Sequence, residues 1–364
     1  MTAYILRRLL LMIPTLLGIM TINFFVIQAA PGGPVDLAIA KIQGRDVDAT
    51  TRFAGSGGET RDTSQSSTEP SGSRGSRGVT PELRERIKKQ YGFDKPILER
   101  FFLMLGNYLV FDLGESFQSS TRVADLVISK MPVSITLGLW TTLLVYLISI
   151  PLGIAKAVRD GSRFDVATSA IVVVGYAVPS FLFALLLVVL FAGGSFWQIF
   201  PLKGLVSDNW AELSWPAKIA DYFWHVALPV LAMVIGSFAT LSMLTKNSFI
   251  EEIGKQYVQT ARAKGLSERR VLYGHVFRNA MLIVVAGFPS AFLSVLFTGS
   301  LLVEVIFSLD GLGYLGFDAA LNRDYPVMFG TLWVFGLLGL IMGLIGDLMY
   351  VVVDPRIDFD ARGA

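Results

Sequence analysis

The stretch YVQTARAKGLSERRVLYGHVFRNA, Tyr257 to Ala280, lies between two long apolar runs, yet it sets Arg262, Lys264, Arg269, Arg270 and Arg278 against a single acid, Glu268. The segment from Asn247 to Lys264 contains no proline and carries Ile250, Ile253, Tyr257 and Ala261 at helical spacing. It is expected to continue a helix out of the preceding apolar run. Gly265 follows Lys264 where a glycine ends a helix. Ser267 stands where it can cap a second helix, and Glu268 falls in that helix's first turn, where the macrodipole favours an anion. The pattern predicts a helix-turn-helix elbow.

The rest of the chain explains why such an elbow is unexpected. Of 364 residues 53% are hydrophobic and 16% charged, with a mean hydropathy of +0.57. That balance excludes an ordinary soluble protein and points to a bilayer. Net charge is +2, which gives no sign of a nucleic-acid partner, and the absence of cysteine excludes disulfides, thiolate metal sites and cysteine nucleophiles. Crossing the hydrocarbon core takes about 20 apolar residues. Six runs qualify: Leu9 to Ala30, Val133 to Ala155, Val166 to Ala192, His225 to Leu244, Met281 to Val303 and Val327 to Val353. The first is longer than a signal-peptide core and has Pro31 just past its end, so it reads as a retained anchor.

Lysine and arginine accumulate on the cytoplasmic side of short loops. With the N-terminus inside, Arg7, Arg8, Lys156, Arg159, Arg163, the basic residues from Lys246 to Arg278, Arg356 and Arg362 are cytoplasmic, while the short outer loops hold only Lys203, Lys218 and Arg323. The expectation is an all-α integral membrane protein with six transmembrane helices and both termini cytoplasmic. Its parts are an N-terminal transmembrane helix over 1–30, a periplasmic loop over 31–132, a five-helix core over 133–354 with a cytoplasmic loop at 245–280, and a tail over 355–364.

Within the outer loop, 13 of the 28 residues from Thr51 to Gly78 are glycine or serine, so about 44–79 reads as a flexible insert. Thr80 as N-cap, Pro81 at the first helical position, Leu83, Ile87 and Tyr91 at four-residue spacing and Gly92 as terminator mark a helix. A second runs from Ile97 to Phe111. The two form a small helical cap over about 80–130, which either covers the membrane helices or receives a soluble partner. In the last apolar run Gly336, Gly339, Gly343 and Gly346 share one helix face, a stripe suited to helix contact.

No phosphate loop G-x-x-x-x-G-K-[ST] occurs, so any ATP that drives this chain is bound by another. Asp347 lies toward the cytoplasmic end of the sixth run and reads better as paired with a neighbouring helix than as a proton relay. Glu304 and Asp310 at the outer mouth suit either a cationic substrate group or a solvated helix end, and Asp324 joins them as a candidate for the substrate path. His225 and His275 are the only histidines, on opposite sides of the membrane, which argues against a metal site. The elbow's small residues Thr260, Ala261 and Ala263, rimmed by Arg262, Lys264, Arg269 and Arg270, suit docking of another protein. On composition alone, the positive-inside rule or contact with anionic membrane lipid explains the cations equally well.

T-A-R-A-K-G-L-S-E-R-R-V-L at Thr260 to Leu272, followed by H-V-F-R-N-A at His275 to Ala280, resembles the EAA loop of ABC importer permeases of the dipeptide and oligopeptide type. That loop has the pattern E-A-A, three residues, glycine. Here Gln259 and Thr260 replace the first two positions, as is characteristic of the peptide subfamily, while Ala261 and Gly265 match. Further segments resemble the same family in order, among them A-P-G-G-P at Ala30, Y-G-F-D-K-P-I at Tyr91, F-D-L-G-E-S-F at Phe111, V-P-S-F at Val178, N-R-D-Y-P-V at Asn322 and D-P-R-I at Asp354. A-P-G-G-P-V-D, L-F-A-G-G-S at Leu190 and the glycine- and serine-rich insert are similar to the Yej-type oligopeptide subgroup, whose members take up peptides including peptide antibiotics such as microcin C.

The resemblance implies a type I ABC importer permease in the bacterial inner membrane, without catalysis of its own. A periplasmic peptide-binding protein would deliver cargo, a second homologous permease subunit would complete the pathway, and ABC ATPase subunits would carry the ATP and magnesium. Gln259, Thr260, Ala261, Arg262, Ala263, Lys264 and Gly265 would then be the ATPase-coupling elbow. A dipeptide or nickel-chelate permease is the alternative within the family. Outside it, the alternative is an ion-coupled carrier or channel, which would need paired mid-membrane charges.

Overall fold

A computed structural model describes residues 2–29, 94–193, 196–294 and 301–353. The insert at 44–79, the helix expected from Thr80 to Gly92, Asp354 and the tail lie outside the described residues. So does the whole segment from Ala30 to Phe93. The described chain is helical, with one isolated bridge between Glu115 and Arg122. It divides into two units, one made of 1–13, 129–314 and 335–364, the other of 14–128 and 315–334.

The helices are α1 (Thr2–Ala29), α2 (Ile97–Leu109), α3 (Val123–Val158), α4 (Arg163–Ala177), α5 (Ser180–Phe191), α6 (Trp215–Ile253), α7 (Gln256–Ala263), α8 (Glu268–Val271), α9 (Phe277–Ala286), α10 (Phe288–Ser294), α11 (Leu301–Ile306), α12 (Leu312–Leu321) and α13 (Tyr325–Val353). Among the described residues five continuous stretches are long and apolar enough to cross a membrane: Tyr4–Val26, Val123–Val158, Trp215–Ile253, Glu268–Ser294 and Tyr325–Met349. The third expected crossing differs. α4 and α5 meet at an angle of 89°, so the run from Val166 to Ala192 is a bent pair. Pro179 causes it: a proline disfavours helical backbone at the residue before it and has no N–H to give. Val178 accordingly turns extended (φ −87°, ψ 116°), and α5 restarts at Ser180.

In the larger unit α6 is the central element, packed against α4, α5 and α9. Ala232, Phe249, Val276 and Val284 are fully buried in this core, with Leu137 from α3. α3 crosses α6 at Gly153, where a Cβ would come within 2.6 Å of Thr245 Cβ and 2.8 Å of the Ser242 carbonyl oxygen. Only glycine permits that approach. Asp347 is paired, as its sequence position suggests: Tyr4 donates to its carboxylate at 2.8 Å, and Arg8 Nη2 lies 2.5 Å away. Of the glycine stripe on α13, a Cβ at Gly346 would lie 3.7 Å from the Ala286 carbonyl oxygen and 3.8 Å from Pro289 Cγ, whereas one at Gly339 or Gly343 would meet nothing within 4 Å beyond its own helix.

In the smaller unit α2 ends at Leu109, two residues before Phe111, which adopts a left-handed backbone (φ 60°). Phe101 of α2 meets Phe24 at a tilt of 56°, and Phe24 in turn stacks on Phe329.

Candidate functional site

The elbow of residues 254–280 is built in the larger unit, and its root differs from the sequence expectation. The helix leaving α6 does not run unbroken to Lys264. It stops at Gly254, Lys255 takes an extended backbone (ψ 151°), and α7 begins at Gln256. The break is held by Glu252, which is largely buried. Its carboxylate forms an ion pair with Lys255 and accepts the Tyr257 hydroxyl at 2.7 Å. Asn279, at the far end of the elbow, also hydrogen-bonds with Glu252. Ser248 Oγ donates to the Ala280 carbonyl oxygen at 2.7 Å, a second tie between the two sides of the base. Outside the spans, the bond to Glu252 pushes the Lys255 pKa up, and burial followed by the same carboxylate pushes the Tyr257 pKa up.

At the tip α7 ends as the sequence implies. Gly265 sits at φ +80°, a region costly for residues with a Cβ, and its N–H donates to the Arg262 carbonyl oxygen at 2.9 Å. Ser267 occupies the N-cap position, but its side chain makes no capping bond. Glu268 turns instead to Arg262, which reaches it through Nε at 2.8 Å and Nη2 at 3.0 Å. This fork spans the turn between α7 and α8.

Gln259, Thr260, Arg262, Ala263, Lys264 and Gly265 are all exposed. Ala261 is the exception: with Val258 it is buried and anchors α7 to the core. The approachable backbone is therefore offered by Thr260, Ala263 and Gly265, while Ala261 fixes their height above the protein. The expected separate second helix is only the single turn α8. It continues through a π turn (Leu272–Val276) into α9, so the fifth span begins at Glu268 and the elbow is integral with it.

Of the three substrate-path candidates, Glu304 and Asp310 belong to the larger unit and Asp324 to the smaller. Glu304 is fully buried, accepting from Ser134 Oγ at 3.3 Å and the Tyr314 N–H at 2.7 Å, and a Cβ on Gly311 would stand 2.5 Å from its carboxylate. It is neither a solvated helix end nor open to cargo in this conformation. Asp310 is exposed and ion-paired with Lys130. Asp324 is buried in the smaller unit, accepting from Ser116 Oγ at 2.5 Å and the Phe117 N–H at 3.1 Å.

Sequence reading passed over a second charged cluster. Lys156, counted among the cytoplasmic cations, is fully buried: Nζ donates to Ser169 Oγ at 2.8 Å and lies 4.0 Å from Asp165. Lys246 Nζ bridges Asp165 at 2.6 Å and Asp160 at 2.8 Å. This network ties the α3–α4 turn to α6. His225 is buried in α6, with Nδ1 2.8 Å from the Asp221 carbonyl oxygen. Among the described residues no three histidine or carboxylate side chains converge as a metal site.

A set of membrane-spanning helices from which a charged, glycine-ended elbow projects is the arrangement of a transporter permease. The chain belongs to the binding-protein-dependent transport system inner membrane component family, whose model matches residues 149–359 and so includes the elbow. It is a permease component of an ABC transporter and a multi-pass protein of the inner membrane. It is similar over its whole length to two proteins that it also covers completely. One is the peptidoglycan transport system permease protein YejB of Agrobacterium fabrum strain C58, 60% identical over 362 residues, and the other the inner membrane ABC transporter permease protein YejB of Escherichia coli O157:H7, 58% identical over 367. The oligopeptide transport system permease protein AppB of Bacillus subtilis strain 168 is 33% identical over 361 residues, covering 99% of this chain and all of that one.

Proposed function

We propose that this chain forms part of the pathway by which an ATP-driven importer moves oligopeptides from periplasm to cytoplasm, with Gln259 to Gly265 as the contact through which separate ATPase subunits act on it. One observation carries the reading: the exposed tip at Thr260, Ala263 and Gly265 is braced at its base by Glu252 and Ser248 and runs without a break into a membrane span. A push on the tip is thereby delivered to α6 and α9 together instead of being absorbed by a loose loop. The full-length similarity to transporters named for oligopeptides and peptidoglycan supports the cargo class.

The orientation that puts the elbow in the cytoplasm follows from the distribution of lysine and arginine. ATP and magnesium belong to the partner ATPases, since this sequence has no phosphate loop. A second homologous permease completes the pathway, and a periplasmic peptide-binding protein delivers the cargo. The test is uptake of labelled oligopeptide by proteoliposomes holding the whole complex. Uptake is expected only with ATP and hydrolysis-competent ATPase, and uptake that persisted after hydrolysis was abolished would refute the coupling.

A further inference from the structure

A cavity of about 360 Å³ lies in the larger unit between α3, α6 and the fifth span. Its lining is unusual for the middle of an apolar bundle. Thr141, Thr142 and Tyr146 from α3, Ser237 and Thr240 from α6, and Ser294 contribute hydroxyls, and among the described residues no charged or histidine side chain lines it. Glycines 236 and 287 leave the helix backbones bare on its walls.

Thr141 and Thr142 carry the argument. Both side chains are at least 98% buried, and neither Oγ1 has a hydrogen-bond partner. Helical threonines ordinarily satisfy the hydroxyl on a carbonyl three or four residues back, and this chain follows that habit elsewhere. Thr245 bonds the Leu241 carbonyl oxygen at 2.8 Å and Thr331 that of Val327 at 2.8 Å. A buried hydroxyl left unpaired costs about 1–3 kcal/mol. Ser242 Oγ on α6 is a third such group, but Thr141 and Thr142 are adjacent and belong to residues that line the cavity, so that a shift of its wall brings a partner to both.

We infer that this cavity is a station on the transport path at which Thr141 and Thr142 hydrogen-bond the peptide bonds of the cargo. The inference rests on the peptide-permease reading. A hydroxyl has one proton to donate and two lone pairs to accept with, so the same side chain serves an amide N–H or a carbonyl oxygen as the chain advances. With no charge on the wall, cargo side chains are neither selected by sign nor trapped by an ion pair. The size falls at the lower end of the range for small-molecule sites, roughly 300–1,000 Å³. A few residues of extended backbone fit, not a folded domain.

The experiment places the Thr141→Val, Thr142→Val double variant in the complete transporter in proteoliposomes. It measures half-saturation for acidic, basic and neutral tripeptides alongside the unfolding temperature. Valine keeps the shape and removes the unpaired hydroxyls, so the unfolding temperature is expected to hold or rise. Half-saturation is expected to rise roughly tenfold, as for the loss of about two ordinary hydrogen bonds, and equally for all three peptides. The serine pair, which returns the hydroxyls, restores it. Wild-type half-saturation in the valine variant overturns the inference, as does an effect confined to one peptide charge. Loss of uptake together with a lowered unfolding temperature overturns it as well, because the hydroxyls would then serve folding through bound water. A wild-type complex that takes up none of the peptides strikes at the peptide reading instead.

Discussion

Gly265 shows how much one backbone angle can decide. At φ +80° with open space where a Cβ would stand, it fails sterically with no neighbour but only with its own backbone. Asparagine, which tolerates the left-handed region, should leave uptake near wild type, and valine should impair it at a cost of about 1–2 kcal/mol. Proline should abolish uptake, because it fixes φ near −65° and removes the N–H given to Arg262. Membrane insertion, followed by protease protection, should survive all three. The buried cluster makes an asymmetric prediction. Asp165→Ala leaves Lys156 buried with no carboxylate near it and should destabilise the protein by about 3–5 kcal/mol. Lys156→Met leaves Asp165 still bound to Lys246 and should cost far less. Melting of the detergent-solubilised variants distinguishes the two. Gly265 was legible in the sequence because a glycine after a helical run has few other uses. Lys156 was not, because its partners come from the next helix and from α6, and its charge alone suggested a solvated loop.

At the scale of elements, the apolar runs were readable because the bilayer demands a minimum length, and their interruptions were only partly so. Pro179 announces the bend between α4 and α5 by its chemistry, and the V-P-S-F segment was in plain sight. The break at Gly254 and Lys255 carries no comparable mark. Gly254 keeps a helical φ of −75°, and what stabilises the break is Glu252 reaching Lys255, Tyr257 and Asn279. The brace predicts that Glu252→Ala loosens the elbow. Amide exchange over 256–280 should quicken at least tenfold while the core of α6 stays protected, and uptake per ATP hydrolysed should fall. It also predicts indifference to neutral pH. The raised pKa values of Tyr257 and Lys255 keep both groups protonated through the neutral range, so on the alkaline side their bonds to Glu252 should weaken only above about pH 10. Amide exchange over the elbow at pH 6 and pH 8, corrected for intrinsic rates, should coincide.

Taken whole, the molecule is a permease component of a larger transporter. A tagged chain should co-purify with a second permease and with an ATPase. Gly265→Pro should keep the permease and lose the ATPase, and loss of both would place the elbow in general assembly. The sequence could reveal the class of machine because the tip of the elbow is local, its turn and cations lying inside two dozen residues. It could not reveal the hydroxyl-lined cavity, whose walls come from positions more than a hundred residues apart. Nor could it reveal that Glu304 is enclosed, since that depends on Gly311 and Ser134 closing around it.

The π turn over Leu272–Val276 has a mechanical corollary. A wide turn holds one residue more than an α turn, which amounts to a single tooth of spare thread between the tip and the span. Deleting Gly274 should let the turn close to ordinary α pitch with the helix on either side kept in phase, so that α9 and the tip both hold their faces. A one-residue deletion in a membrane helix is normally ruinous. Here it should yield a transporter that inserts, assembles and takes up peptide in proteoliposomes, whereas deleting one residue of the regular helix α9 should not.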